Sequence, residues 1–275
     1  MTSRALESYR HWQVKPPIEH RPDIIEQLND GTRHCALRVR ALSGEEHIDF
    51  VIREAPPSRG LGIQTQEELS VMQLAAAAEL TPRLVYVDAS MATTVTEYLP
   101  PLDTAVNGAL LAELIKRIHA LPRIDSAAVI DLAGRLEHYR CQAIDKGYTP
   151  EQLFTVDLPI LKTAIEYLTV QPKVLCHNDL NPSNVRLAPQ GAVAIDWEYA
   201  GLGNAYFDAA ACFLQSPELS EGKFLASIFG SHPDYQSWHH AQRLYRAIEW
   251  NWYAATEPFT HDNRHWERLC QQIHV

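Results

Sequence analysis

Residues 175–184 read LCHNDLNPSN and place one histidine, one aspartate and three asparagines in the eight positions from His177 to Asn184. Asp and Asn are poor in strand and helix interiors, so the stretch is a loop by composition. Its side chains offer a carboxylate that can take a proton and amide oxygens that can face a cation. The next residues, NVRLAPQGAVAIDW, have a hairpin pattern with the turn at 188–191. Leu187 then pairs with Ala192, and counting back sets Asn184 opposite Ile195. Asn184 and Asp196 therefore fall within one residue of register, and such cross-strand neighbours are about 5 Å apart. An amide oxygen beside a carboxylate suits a hard cation such as Mg²⁺, which keeps further positions for water and phosphate. Asp179, five residues before Asn184, sits near that cation without having to bind it. A carboxylate there can accept the proton of an incoming hydroxyl, the arrangement phosphoryl transfer requires.

HNDLNPSN matches the H-x-D-x-x-x-x-N catalytic loop of the protein-kinase-like superfamily. IDWEYAG (195–201) follows where a metal-binding aspartate would fall, and neither D-F-G nor A-P-E occurs. The pair resembles the choline/ethanolamine kinases and their bacterial relatives, including thiamine kinases, within the aminoglycoside-phosphotransferase-like group. The resemblance runs from about residue 25 and is specific in 175–210. It implies Asp179 as catalytic base, Asn184 and Asp196 as Mg²⁺ ligands, and His177 as a brace for the loop. It also implies that Asp208, in YFDAAACF, hydrogen-bonds the loop from a helix start.

The elements that must position these groups divide into two sets. The first hundred residues read as strands with one helix. DIIEQLND, ALRVRAL, HIDFVIRE, RLVYVDA and ATTVTEYL give an antiparallel sheet of about five strands, with SGEE as a turn and GTRHC as another. TQEELSVMQLAAAAEL is the helix, with Thr65 as N-cap and Glu67 and Glu68 in its first turn. YLPPLD (98–103) stops both helix and ladder, so lobes of 1–100 and 102–275 are expected, with the hinge at 96–101. Beyond it NGALLAELIKRIHAL carries Leu110, Leu111, Leu114, Ile115 and Ile118 at helical spacing. Helices are expected over 126–146, 157–169 and most of 203–275. The fold class is α+β, and the resemblance makes it bilobal and protein-kinase-like.

Composition sets the outer limits. A net charge of −10, with no dense basic stripe, argues against nucleic acid as the main partner. No apolar run approaches the roughly 18 residues of a membrane span, and MTSRALESYRHW lacks a signal peptide's apolar region, so a cytoplasmic protein is expected. The five cysteines are scattered, with no C-x-x-C, and read as reduced and mostly buried. Oligomeric state is not legible.

A kinase reading also needs groups for ATP. No Walker A or G-x-G-x-x-G motif is present, which excludes a P-loop fold; Gly31 is the only glycine near the first turn. The kinase-like pattern places a cation on a strand, where DFVIREA supplies Arg53; guanidinium binds phosphate oxygens bidentately. Its partner by the same resemblance is Glu68, with Glu67 as the alternative. Adenine would be read by the backbone of Glu97, Tyr98 and Leu99. For the acceptor, RLYRAIEWNWYAATEP offers Tyr245, Glu249 and Trp250 on one helical face, while Leu244, Ile248 and Trp252 form a core stripe. Aromatic faces and carboxylates recognise cationic amines. Glu198 is expected on the same side of a strand as Asp196. The expected activity is ATP- and Mg-dependent phosphorylation of a small amino alcohol such as choline or ethanolamine. Thiamine, an aminoglycoside or a sugar is the competing acceptor, and a nucleotide-binding pseudokinase module the competing class.

Overall fold

The computed structural model describes residues 3–28, 35–54, 65–88, 93–102, 107–256 and 273. Five strands form one antiparallel sheet: β1 (Asp23–Leu28), β2 (Cys35–Ser43), β3 (Glu46–Glu54), β4 (Leu84–Asp88) and β5 (Thr93–Glu97), in the order β1-β2-β3-β5-β4. One face buries Val39, Ala41, Phe50, Ile52, Val85 and Val95. A short helix, α1 (Arg4–Glu7), and the chain after it close that face. Leu6, Trp12, Val14 and Ile18 are buried there, and the Trp12 ring meets Phe50 edge-on at 5.3 Å. This N-terminal cover has no periodic signature in sequence.

The helix α2 (Thr65–Ala77) follows β3, but Val71, Met72 and Ala75 join the apolar cluster of the C-terminal half. The carbonyl at its end, on Leu80, accepts the Ala194 N–H at 2.8 Å. Thr65 as an N-cap lies outside the described side chains, as does most of the GTRHC turn.

The C-terminal half holds α3 (Gly108–His119), α4 (Leu132–Asp145), α5 (Pro159–Thr169), α6 (Ala205–Leu214), α7 (Glu221–Phe229) and α8 (Tyr235–Thr256). The amphipathic stripe of α3 is buried at Leu111, Leu114, Ile115 and Ile118, as expected; Leu110 is 39 % exposed and Ala112 is inside instead. The helix expected from 126 starts only at Leu132, because Asp131 caps it, accepting the Gly134 N–H at 2.9 Å. The residues before the cap run extended: Ile130 donates to the Leu202 carbonyl at 2.9 Å. The expected hairpin is present as β7 (Val185–Ala188) and β8 (Gly191–Ala194), with Leu187 opposite Ala192. An unexpected ribbon pairs β6 (Lys173–Cys176) with β9 (Gly201–Asn204), so the stretch from 203 does not begin as helix. Asn204 ends β9 and caps α6 by accepting the N–H groups of Tyr206 and Phe207. Cys176 and Cys212 are buried and Cys141 is exposed. Among the described residues no helix is long and apolar enough to cross a membrane.

Candidate active site

The polar loop leaves β6 at Cys176 and is held from below by one buried carboxylate. Asp208, near the start of α6, accepts the N–H of His177 at 3.3 Å and that of Asn178 at 2.6 Å, and meets His119 Nε2 at 2.8 Å. Burial alone would push this carboxyl up; the His119 contact and the backbone donors outweigh it and hold it below the usual range. Asn178 takes a left-handed backbone (φ 62°), which Asn tolerates better than most residues, and donates its amide to the Tyr199 carbonyl at 3.0 Å. His177 is buried; its Nε2 contacts the Ile195 carbonyl at 3.0 Å and its ring packs on Trp197 at 4.8 Å. Burial lowers its pKa, so the ring is neutral and ties the loop to the end of β8.

The loop then turns through Pro182–Asn184, where Asn181 accepts the Ser183 N–H at 2.9 Å. Asn184 Nδ2 reaches both the carbonyl and the Oδ2 of Asp179, each at 2.9 Å. The Asn184 carbonyl accepts the Ile195 N–H at 2.9 Å, the register the hairpin count requires. Asp196 follows with φ 63°, again left-handed. Its Oδ1 lies 2.5 Å from Arg53 Nη2, which is also 3.8 Å from Glu198, while Arg53 Nη1 is 3.5 Å from Glu68. Burial opposes the charge on Arg53, and the three carboxylates raise its pKa regardless. Glu198 thus shares a partner with Asp196, although β8 ends at Ala194 and the two are not on a strand. Asp179 is pushed up to about 7, first by burial and then by the charges of Asp196 and Glu198, against the pull of Arg135.

These residues fit a magnesium ion. With its Nδ2 committed to Asp179, Asn184 keeps its amide oxygen for a cation, and Asp196 keeps one carboxylate oxygen beyond the one on Arg53. Both are hard oxygen donors. His119, Cys176 and Asp208 also cluster within 4.8 Å. Asp208 there is engaged by His119 and two backbone donors, and burial pushes the Cys176 thiol up and keeps it protonated.

Between the sheet and the hairpin lies a cleft of about 380 Å³, lined by Arg53, Glu97, Tyr98, Leu99 and Asp196. The N–H of Glu97 is spent on the Arg83 carbonyl and that of Tyr98 on the Asp49 carbonyl, both at 2.9 Å. Side chains brace the same strand: Glu97 pairs with Arg83 at 2.6 Å, and Arg38 covers the Tyr98 ring at 4.0 Å.

On the other side of Asp179 a cavity of about 800 Å³ opens toward α4 and α8. Tyr245 and Glu249 line it, joined through Gln215, which donates to the Glu249 carboxylate and lies 3.3 Å from the Tyr245 hydroxyl. Burial raises the pKa of Glu249 against the nearby charge of Arg246. Trp250 does not line this cavity. Its indole N–H donates to the Gln152 carbonyl at 2.8 Å, and Trp252, expected in the core, takes the cavity wall instead. The reason is local: α8 packs against α4, α5 and α6, so its buried sector is wider than one stripe.

Residues 25–246 match the model of the phosphotransferase enzyme family. The chain belongs to that family. Among solved structures it is similar to the choline kinase LicA from Streptococcus pneumoniae, at 18 % identity over 92 % of this chain and 94 % of that one, with a TM-score of 0.68. A choline/ethanolamine kinase family protein from Mesorhizobium loti aligns at 16 % identity over 98 % and 92 %, with a TM-score of 0.65. A putative fructosamine-3-kinase from Thermobifida fusca aligns at 13 % identity over the whole of both chains, with a TM-score of 0.68. At these identities the likeness is one of fold. No curated protein sequence matches the chain.

In this phosphotransferase, then, Asp179, Asn184, Asp196, Glu198, Arg53 and Glu68 converge on one locus between the two halves. Two site residues escaped sequence reasoning. Arg135 lies over the Tyr199 ring at 4.2 Å beside Asp179, and the Tyr199 hydroxyl meets that of Tyr139 at 3.2 Å. The one signal was the four-residue spacing of Arg135 and Tyr139, which sets them on one face of α4.

Proposed function

We propose that this phosphotransferase moves the γ-phosphoryl group of ATP to the hydroxyl of a small hydroxylated amine. The observation that carries the reading is the convergence just described: a carboxylate at about pKa 7, held by Asn184, next to two cation-binding oxygens and a guanidinium. In the reaction the acceptor oxygen bonds to the γ-phosphorus, the bond to the β–γ bridging oxygen breaks, and ADP leaves. Asp179 takes the hydroxyl proton, and a group titrating near neutrality is suited to that task. Asn184 and Asp196 would hold a magnesium ion, which when bound offsets charge on the phosphates. Arg53, poised by Glu68, exchanges a carboxylate partner for phosphate oxygens.

The sheet half (1–100) carries the nucleotide and the helical half (102–275) the base and acceptor. Because the N–H groups of Glu97 and Tyr98 are engaged in the sheet, the Leu99 backbone is the donor offered to adenine. Glu249, Tyr245 and Trp252 favour an amine in the acceptor cavity over a neutral sugar, and choline and ethanolamine are the first candidates. A pseudokinase is disfavoured because Asp179, Asn184 and Asp196, the residues proposed as base and metal ligands, are all present and lie together. The test is ADP release from Mg·ATP across amino alcohols, hydroxylated amino acids, thiamine and aminoglycosides. Acceptor-dependent release that Asp196→Asn abolishes is expected. Tight nucleotide binding with no turnover on any acceptor overturns the reading.

A further inference from the structure

Besides the base and the two carboxylates drawn onto Arg53, Asp196 and Glu198, the acceptor cavity is lined by two charges of opposite sign. Glu249 is one, a half-buried carboxylate whose hydrogen bond from Gln215 leaves it without a neutralising contact inside the cavity. Arg135 is the other. No salt bridge joins Arg135 to a described residue, and its Nε is buried without a hydrogen-bond partner. Its guanidinium carbon lies over the Tyr199 ring, 4.2 Å from the centroid, and the Tyr199 hydroxyl is held by that of Tyr139 at 3.2 Å.

A half-buried guanidinium without a counter-ion is costly unless something pays its desolvation, and a ligand anion is the partner its fork geometry fits. The contact with the ring limits the side chain's freedom in advance, so less is lost on binding. Asp179 does not fill this role: it is close enough to feel the charge, but its oxygens are taken up by Asn184 and Asn181. Tyr245 lies between the two walls, electrostatically coupled to Glu249, Asp179 and Arg135 alike. Of the remaining charges lining the cavity, Asp196 and Glu198 are drawn onto Arg53, and Asp145 and Lys146 are exposed at its rim.

Taken with the proposed function, on which this rests, we infer that the acceptor is a zwitterion, a hydroxylated amino acid whose ammonium faces Glu249 and whose carboxylate is received by Arg135. A simple cationic amino alcohol leaves the guanidinium unanswered. A dianionic phosphate in the acceptor is disfavoured, because Arg135 stands among the carboxylates Asp179 and Glu249, with Asp196 and Glu198 lining the same cavity.

The experiment uses acceptor pairs that differ only in the carboxylate: ethanolamine with serine, and 3-amino-1-propanol with homoserine, plus serine methyl ester as the control that lacks the carboxylate charge. ADP release with Mg·ATP is measured for the wild type, Arg135→Met and Arg135→Lys, with thermal melts to confirm folding. The expected kcat/KM of the carboxylated member exceeds that of its partner and of the ester by about 10–100-fold, the worth of a charge-assisted pair. Arg135→Met should erase that ratio through KM, and Arg135→Lys should restore part of it. Amino alcohols used as well as the amino acids overturn the inference and leave the proposed function standing. So does an Arg135→Met loss falling equally on both members through kcat, which would assign Arg135 to the base or the phosphate. No turnover of any member, by contrast, fails the proposed acceptor class and this inference with it.

Discussion

Asn184 donates to Asp179 twice from one amide nitrogen, to the backbone carbonyl and to the carboxylate, both at 2.9 Å. The contact sets the carboxylate's orientation and leaves the amide oxygen free of Asp179. A single side chain thereby orients the proposed base and keeps an oxygen for the proposed cation. Asp179→Asn keeps the shape and removes the proton acceptor. Turnover should fall by about 10²–10⁴-fold, the usual loss for a general base. Nucleotide affinity, read by calorimetry with Mg·ADP, should change little.

The same carboxyl has a cost in the free protein. Its folded pKa of about 7 stands above the ordinary 3.8, so the fold binds that proton more tightly than the unfolded chain does. Its contribution to stability is therefore greatest at low pH and is lost as pH rises from about 4 to about 7. Asp179→Asn removes this slope. In EDTA and without nucleotide, the variant should gain on the wild type between pH 4.5 and 7.5, by about 1–3 kcal/mol in urea unfolding. A constant difference across that range would show that Asp179 is solvated.

Asp208 shows the opposite sign. Its folded pKa lies below the ordinary 3.8, so its contribution is complete above that value and lost as pH falls through the lower folded one. Asp208→Asn cannot receive two backbone N–H groups and His119 together, and leaves buried donors unpaired. We expect about 3–5 kcal/mol lost at pH 7 in chemical unfolding, with the gap to wild type closing only below about pH 4. Activity should fall with it, because the His177–Asn178 backbone sets where Asp179 stands.

Arg53 gathers three carboxylates: Asp196 at 2.5 Å, Glu68 at 3.5 Å and Glu198 at 3.8 Å. Arg53→Met leaves them facing one another. Lower stability of the free protein and a KM for ATP raised at least about 10-fold are expected, with Mg²⁺ restoring some stability. Arg53→Lys should fall between, since an ammonium cannot serve several oxygens in the guanidinium's plane. Thermal melts with and without Mg²⁺, alongside ATP titrations, separate the two effects.

The hairpin register, the α3 stripe and the five-strand sheet were legible because each rests on a local period or turn. So were Asp179, Asn184 and Asp196, which lie within 18 residues of one another and are brought together by one hairpin. Arg53 and Glu68 were legible only through the family pattern, since their meeting with Asp196 spans the cleft. What escaped has no local signature. The β6–β9 ribbon is made partly of glycines, which carry no hydrophobic alternation. Trp250 and Trp252 exchanged roles because α8 is buried against three helices, and one stripe cannot say which partner covers which side. Arg135 escaped because an arginine on a helix reads as surface until Tyr199, 64 positions on, is found beneath it.

Gly201, which closes IDWEYAG, turns that glycine-rich ribbon into a test. A Cβ there would stand 2.6 Å from the Ala128 carbonyl oxygen and 2.8 Å from Ile130 Cδ1. Ile130 can rotate, but the carbonyl cannot yield: it accepts the Leu202 N–H at 2.7 Å, while Ile130 N–H is held by the Leu202 carbonyl at 2.9 Å. The strand would have to retreat, taking with it Asn204, the cap of α6, and so the start of the helix that carries Asp208. Gly201→Ala should cost about 1–3 kcal/mol in thermal or urea unfolding and lower turnover as well. Gly203→Ala meets Cys176 Sγ at 3.3 Å, a neighbour that can shift by a few tenths of an ångström, and should cost less. Gly222→Ala, on α7 with nothing within 4 Å of its Cβ, should be neutral or stabilising by a few tenths of a kcal/mol. Should Gly201→Ala melt with Gly222→Ala instead of below it, β9 is not pressed against residues 128–130, and the support assigned to the catalytic loop is misplaced.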